Sequence, residues 1–427
     1  MNPTPKKLLL HLPNVLLPVD TGAKRKFLGT LKYFRERKDF FVVDAFARND
    51  FGQNIWTSEQ KEEVLKTTNN FFVYHGENNL LDFLYSRSKS FYYQKFLKQQ
   101  IPVDSDYFSP PGYVKFLRSL ISEHKYDTVL IQNPDYAQLG LKATHSCTHR
   151  VHTILDIVDL LCQLRLARQN IPPLKGLKFD YEANLKKEIQ LLNQYEDLII
   201  TSQEEMAIIK PYISSDKLHL IPYPLDELNP TDSVLPYSNR EFKYDLMYVG
   251  ASYYPNVEAM NFFLSSVFPE IVAKKPDIRF AVAGKVCDLI QIDPAFKQNI
   301  DSLGFVDDLS ELYSISRIVI CPLLHGSGTK IKLQEAMTYS IPIVTTKCGA
   351  SGLSLKDGIN AFITDDPGLY AQNILSLLKE PKLAQKVSEE VAMTFENEYS
   401  NSTIYSKLDA MLGIGSFDDF IQLSLQI

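Results

Sequence analysis

Tryptophan occurs once and cysteine only five times in 427 residues, and no apolar run approaches the length of a membrane span. The five cysteines, Cys147, Cys162, Cys287, Cys321 and Cys348, are odd in number, widely spread and free of any CxxC pair. That spacing argues against a disulfide framework or a zinc site and for a reducing, cytoplasmic compartment. Without roughly 20 consecutive apolar residues, any membrane contact is expected to be peripheral. The opening MNPTPKKLLLHLPNVLLP has two lysines and a short apolar run, but His11 and the prolines interrupt it and no small-residue cleavage site follows. It reads as a first β-strand, not a secretion signal. A net charge of −6 excludes the basic profile of a nucleic-acid binder. There is no internal repeat, no GxGxxG and no DxD-like motif at a strand end.

What is present is an ordinary globular composition, 45% hydrophobic and 22% charged, in a chain too long for one core. Short apolar runs alternate with longer helical patterns. The expected strands are 8–12, 40–45, 128–131, 153–157, 198–201 and 218–221, then 245–249, 279–283, 318–321, 342–345 and 361–363. Several are unbroken Val/Ile/Leu runs, as in parallel sheets covered on both faces. The alternation implies βαβ units and an α/β class. A proline-rich stretch, 222–243, reads as the linker between two halves. The segment 51–113, rich in Tyr, Phe, Asn and Ser, fits the rhythm poorly and is expected to be a helical insertion.

The most informative window is CPLLHGSGTKIKLQEAMTYSIPIVTTKCGASGL, residues 321–353. A buried strand ends at Cys321; His325-Gly326-Ser327-Gly328-Thr329 follows, and then a helix from Lys330. A glycine loop entering a helix start is an anion site, because free N–H groups and the helix dipole face the ligand. Lys330 and Lys332 add cations where the dipole disfavours them, which suggests phosphate. Glu335, three residues after Lys332, shares its helix face and can accept both hydroxyls of a ribose. The plainer reading is a solvated helix start with an ordinary Lys–Glu pair.

Gly326–Met337, with Ile341–Thr346 and Gly349–Leu353, resembles the donor signature of retaining GT-B glycosyltransferases of the family 4 type. Tyr248–Ser252 with Pro255–Ala259, Phe280–Gly284, and Gly304–Leu309 with Leu312-Tyr313 match further pieces of that signature in order. The resemblance covers nearly all of 244–395. It implies two Rossmann-like domains facing across a cleft. The N-terminal, acceptor-side domain would span 1–223 and be completed by a C-terminal helix, 395–427. The donor domain would span 224–394. The resemblance further implies transfer, with retention, from a nucleoside-diphosphate sugar (UDP- or GDP-linked) to a hydroxyl of a glycan, lipid-linked or small-molecule acceptor, with no metal required. Glu335 would hold the ribose, Val306 and Leu312 would border the base, and Gly250 would line the opening loop. Gly326, Ser327, Gly328, Thr329, Lys330 and Lys332 would hold diphosphate and sugar, Lys332 acting in catalysis. Many members carry two glutamates seven residues apart; here the first position is Ser327. That departure keeps open a catalytically inactive nucleotide-sugar-binding partner subunit. An epimerase of the same fold also remains open. A nicotinamide-dependent dehydrogenase is disfavoured, because the Gly22 loop lacks GxGxxG and the strongest site lies in the second half.

In the first half, Gly22 lies in a strand–helix turn where backbone can approach the donor or acceptor. His152–Leu160, HTILDIVDL, ends with Asp156 and Asp159, and either carboxylate is expected to orient the acceptor hydroxyl. Asp159 can instead cap the next helix. Ser202 and Glu205 form a capping-box pattern. The helix 23–37 carries Phe27, Leu28, Leu31 and Phe34 on one face. Its other face has Lys24, Arg25, Lys26, Lys32, Arg35, Arg37 and Lys38, a patch able to meet an anionic membrane through 23–38. A solvated face is the plainer reading.

Overall fold

A computed structural model of the chain describes residues 4–19, 22–49, 55–171, 173–225, 235–326 and 328–414. It divides into two compact units, Met1–Asp226 with Tyr405–Ile427, and Glu227–Ile404. The chain re-enters the first unit at Tyr405, inside the helix Asn401–Leu412, ten residues beyond the position suggested by the sequence.

Each unit is built on one parallel sheet. In the first, β1 (Lys6–Leu12), β2 (Phe41–Asn49), β3 (Asn70–His75), β4 (Thr128–Gln132), β5 (His152–Ile157), β6 (Asp197–Ile200) and β7 (Leu218–Leu220) pair in the order β3-β2-β1-β4-β5-β6-β7. In the second, β8 (Tyr244–Val249), β9 (Phe280–Ala283), β10 (Ile300–Gly304), β11 (Ser316–Cys321), β12 (Ile343–Thr345) and β13 (Phe362–Ile363) pair in the order β10-β9-β8-β11-β12-β13. The central strands are Val/Leu/Ile runs buried on both faces, Leu8–Leu10 and Ile318–Ile320 among them. In each sheet the chain runs outward in opposite directions from one strand, so β1 and β4, and β8 and β11, flank a switch point. Crevices for ligands open there, beyond the carboxyl ends of the strands.

Two strands, β3 and β10, were not expected from the sequence. Both are at sheet edges and mostly half-buried or exposed. Edge strands need only one covered side, so they lack the continuous apolar signal. Residues 51–113 are therefore not a purely helical insertion. Their described part supplies a helix, Ser58–Leu65, and the edge strand β3, then the helix Leu80–Ser90, which continues as a wide π-helical turn, Phe91–Phe96.

The helix Asn401–Leu412 is tied to the helix Gly22–Glu36 by buried charge. Asp409, 2% exposed, accepts Arg37 Nε at 3.0 Å, Arg37 Nη2 at 2.9 Å and Tyr33 Oη at 2.8 Å. The guanidinium also lies over the rings of Tyr33 and Tyr405. Removing one partner of such a pair strands the other without water, at a cost of about 3–5 kcal/mol. Arg37→Met is therefore expected to destabilise the first unit by that order in urea unfolding. Arg37→Met with Asp409→Leu should recover much of the loss; a single variant as stable as wild type would refute the assignment.

The helix Leu80–Ser90 is moored through Asp106, which accepts Tyr85 Oη at 2.7 Å and pairs with Lys89 at 2.6 Å and with Lys142. Burial alone would raise the Asp106 pKa, but hydrogen bonds from Lys142, Lys89 and Tyr85 outweigh it and hold it at about 2. A carboxylate depressed in the fold adds stability above its ordinary pKa and loses it as pH falls through the folded value. Thermal melts should show wild type losing stability between about pH 4 and about pH 2, with a shallower loss in Asp106→Asn.

Candidate functional site

In the second unit the switch point lies between β8 and β11, and the segments leaving them are Gly250-Ala251 and Pro322–Lys330. The second segment is pinned from β12: Thr345 Oγ1 donates to Cys321 O at 2.8 Å, and Thr346 Oγ1 donates to Leu323 O. Gly328 has φ +68°, a conformation that costs any side-chained residue free energy. Gly352 packs so closely on this loop that an added Cβ would sit 2.9 Å from Thr329 Cα. The glycine pieces of the 321–353 window therefore fold against one another. The helix that follows, Ile331–Thr338, starts at Lys330, whose own side chain makes no capping hydrogen bond.

Lys332, on this helix, reaches across to β8. Its Nζ donates to Asn256 Oδ1 at 2.9 Å and Tyr248 Oη at 3.2 Å, and lies 4.4 Å from the Tyr248 ring centroid. Tyr248 Oη donates to Asn256 Oδ1 at 3.0 Å, and Asn256 Nδ2 donates to Ala251 O at 3.1 Å. One ammonium thus joins the helix after β11 to β8 itself and to the helix that follows it, Tyr254–Phe262. Burial lowers the Lys332 pKa, against the opposing influence of Cys321 and Glu335. Its direct partners are neutral oxygens; among the described residues no carboxylate pairs with it. Asn256 and Tyr248 were not assigned roles from sequence. Both lie in segments matching the donor signature, but nothing local shows that a lysine more than 70 residues away meets them.

Lys330 behaves differently. It is buried, and its Nζ donates to Gly328 O at 2.6 Å and approaches Ser351 O at 3.5 Å, bracing the loop. Glu335 is 4% exposed, and its Oε2 accepts Tyr313 Oη at 3.0 Å. Tyr313 too had no role assigned from sequence. Leu312 is buried in the core, and Val306 packs half-buried against it. Gly250, Gly326, Gly328, Thr329, Lys330, Lys332 and Glu335 all belong to the elements that leave the β8–β11 switch point, whereas Val306 follows the edge strand β10. Ser327 lies outside the described residues.

In the first unit Gly22 opens the helix Gly22–Glu36. Asp156, one of the two carboxylates expected to orient the acceptor, is ion-paired inside the unit. It lies within β5 and points to the face covered by this helix, where its Oδ1 meets Lys26 Nζ at 2.5 Å. Both side chains are buried, and Lys26 Nζ also lies 4.4 Å from the Tyr223 ring centroid. Burial lowers the Lys26 pKa, while Asp156, Asp159 and Glu205 oppose that. Asp159, beyond the strand end, is half-buried, and its Oδ1 is buried. It does not cap the helix Leu161–Ala167. Glu188 accepts from Leu161 N at 2.6 Å and Cys162 N at 2.9 Å, and Glu205 accepts from Leu160 N at 2.9 Å. Ser202 Oγ accepts from Glu205 N at 3.2 Å, the first half of the capping box. Lys26 and Arg37 are buried in ion pairs, so the basic face expected on 23–38 is reduced and gives no support to membrane contact there. At the β1–β4 switch, His11 Nδ1 lies 3.1 Å from Gln132 O among the rings of Phe46, Tyr113 and Tyr136. Burial lowers its pKa to about 3, so it is neutral at physiological pH.

Among the described residues no cluster of three or more His, Cys, Asp or Glu side chains has metal-binding geometry, and no helix is long and apolar enough to cross a membrane. Residues 243–380 match the family model described as Glycosyl transferases group 1. An uncharacterized 44.6 kDa protein in the cps region of Klebsiella pneumoniae is 24% identical over 184 residues, 39% of this chain and 47% of that protein. The match thus spans about half the length of that curated relative. Three solved structures are similar over nearly the whole chain. Anabaena HepE in complex with UDP and glucose has a TM-score of 0.62 and 15% identity, covering 96% of this chain and 99% of that one. Sucrose-phosphate synthase from Thermosynechococcus elongatus has a TM-score of 0.63 and 13% identity, with 99% and 100% covered. S. aureus TarM in complex with Fondaparinux, alpha-GlcNAc-glycerol and UDP has a TM-score of 0.63 and 11% identity, with 95% and 99% covered. Two parallel-sheet Rossmann-like units with these neighbours make the chain a GT-B fold, and its second unit carries the match to the group 1 glycosyl transferases.

Proposed function

We propose that this chain is a glycosyltransferase that moves a sugar, with retention, from a UDP- or GDP-sugar to a hydroxyl of a glycan or lipid-linked acceptor. The observation that carries the reading is Lys332: a desolvated ammonium at the β8–β11 switch point whose direct partners are neutral oxygens. Such a cation is under-compensated, and a diphosphate fits it. In the reaction the bond from the anomeric carbon to the phosphate oxygen breaks and its electron pair leaves with the diphosphate. Lys332 and the first-turn N–H groups of Ile331–Thr338 stabilise that growing charge. Lys330 keeps the glycine loop in shape for this contact, and Glu335, steadied by Tyr313, accepts the ribose hydroxyls. The acceptor hydroxyl forms the new bond to the anomeric carbon and gives up its proton to the departing diphosphate. The group 1 match over 243–380 and the UDP bound in HepE and TarM support the donor class.

Charge-assisted hydrogen bonds contribute about 1.5–3 kcal/mol, so Lys332→Met is expected to weaken UDP or GDP binding about 10- to 150-fold in calorimetry. Asn256→Asp is the sharper test. It keeps the acceptor for Lys332, gives up the amide donor to Ala251 O, and neutralises Lys332, so it should weaken the diphosphate by about tenfold, a carboxylate having taken the anion's place. Unchanged affinity in both variants would remove Lys332 from the site. Nucleotide binding without any transfer across a panel of acceptors would instead assign the non-catalytic partner-subunit reading.

A further inference from the structure

The helix Leu80–Ser90 and its continuation Phe91–Phe96 are amphipathic in the wrong direction for a helix in water. The inward side is polar. Asp82, 2% exposed, accepts Tyr74 Oη at 2.6 Å and Gly112 N at 3.0 Å. Tyr85 and Lys89 bind Asp106, and Ser86 Oγ donates to Tyr107 O at 3.0 Å. The outward side is residues 80, 81, 84, 87, 88, 91, 92, 95 and 96, all exposed and spaced at alternating three- and four-residue intervals along one stripe. Six of them are large and apolar: Leu80 is 67% exposed, Leu81 77%, Leu84 51%, Phe91 65%, Tyr92 51% and Phe96 72%.

A surface helix normally turns its apolar stripe to the core. A contiguous apolar stripe facing water marks an interaction surface. The remaining members of the stripe are Arg87, Ser88 and Lys95, and exposed Lys98 follows, so the stripe contains no acidic residue. The protein as a whole is acidic, at −6. Charge complementarity therefore selects a partner that is apolar beneath and anionic at its surface. A second copy of this stripe would set Arg87, Lys95 and Lys98 against the same cations. At 1.5 Å per residue the stripe is about 25 Å long, a length suited to lying along an interface.

We propose that residues 80–98 dock the protein on an anionic phospholipid bilayer. Leu80, Leu81, Leu84, Phe91, Tyr92 and Phe96 enter the boundary between headgroups and acyl chains, and Arg87, Lys95 and Lys98 meet lipid phosphates. This surface belongs to the first unit and the donor residues to the second, and the proposal does not depend on the activity assigned above. The inward polar contacts through Asp82 and Asp106 hold the helix with its apolar side out, so the surface is present before any membrane is met.

The test uses the full chain in co-sedimentation with vesicles of phosphatidylcholine alone and of equal parts phosphatidylcholine and phosphatidylglycerol. Wild type should partition onto the mixed vesicles and remain in solution with phosphatidylcholine alone. Three basic residues at the surface should make Arg87→Gln, Lys95→Gln and Lys98→Gln together weaken binding on the order of 100-fold. Leu81→Ser, Phe91→Ser and Phe96→Ser together should abolish it. All six positions are exposed, so melting temperatures should stay unchanged. As an independent readout, Phe91→Trp should show a blue-shifted emission with the mixed vesicles only; the native Trp56 is buried. Wild type that stays in solution with mixed vesicles, binds both vesicle types alike, or binds as tightly after the serine substitutions overturns the proposal. So does a dimer of wild type in light scattering that the serine substitutions dissolve, which would make the occupant a second copy.

Discussion

An ammonium group drawn out of water and bonded directly to neutral oxygens organises the second unit. The Lys332 side chain crosses from its helix to Asn256 and Tyr248, so the helices after β8 and β11 are linked through one cation. Two features make that possible. The strand order places β8 and β11 side by side although some 70 residues separate them in the chain. The glycines of the 326–328 loop allow the backbone to turn sharply into the helix that carries the lysine. The remaining polar groups of the site follow from this arrangement. Lys330 is used up on backbone carbonyls, Glu335 is held by Tyr313, and Lys332 is left under-compensated for an anion to meet.

The first unit treats its buried charges in the opposite way. Lys26 is matched by Asp156, and Arg37 by Asp409 with a hydrogen bond from Tyr33. Both pairs are buried, and both join elements distant in sequence. They act as registration points: one seats the helix Gly22–Glu36 on β5, the other seats the helix Asn401–Leu412 beside it. Charge in this unit serves assembly, and in the second unit the role proposed for it is to meet a ligand. The difference lies in whether an opposite charge is supplied by the protein itself.

The same distinction explains the helix at 80–96. Its polar residues are satisfied inside, against Asp106 and Gly112, which leaves its leucines and aromatics outside. An isolated reading of that stretch sees mixed polar and aromatic residues with no clear inward face. Only the partners across the fold show which side is in and which is out.

Sequence alone determined the α/β class, eleven of the thirteen strands found among the described residues and the window 321–353, whose loop and helix leave the β8–β11 switch point. These are local signals: two-sided burial leaves an unbroken apolar run, and a loop that must take positive φ leaves glycines. It did not reveal β3 and β10, because an edge strand buries only part of its surface and carries a diluted pattern. Nor did it reveal side-chain partners. Asp156 looks like a cleft carboxylate and Lys26 like a surface lysine until β5 and the first helix are packed together. Lys332 looks like a solvent cation until β8 brings Asn256 to it. Burial along an element is written in its periodicity, whereas the group a charge will meet depends on which distant strand becomes its neighbour, and the tertiary structure alone decides that.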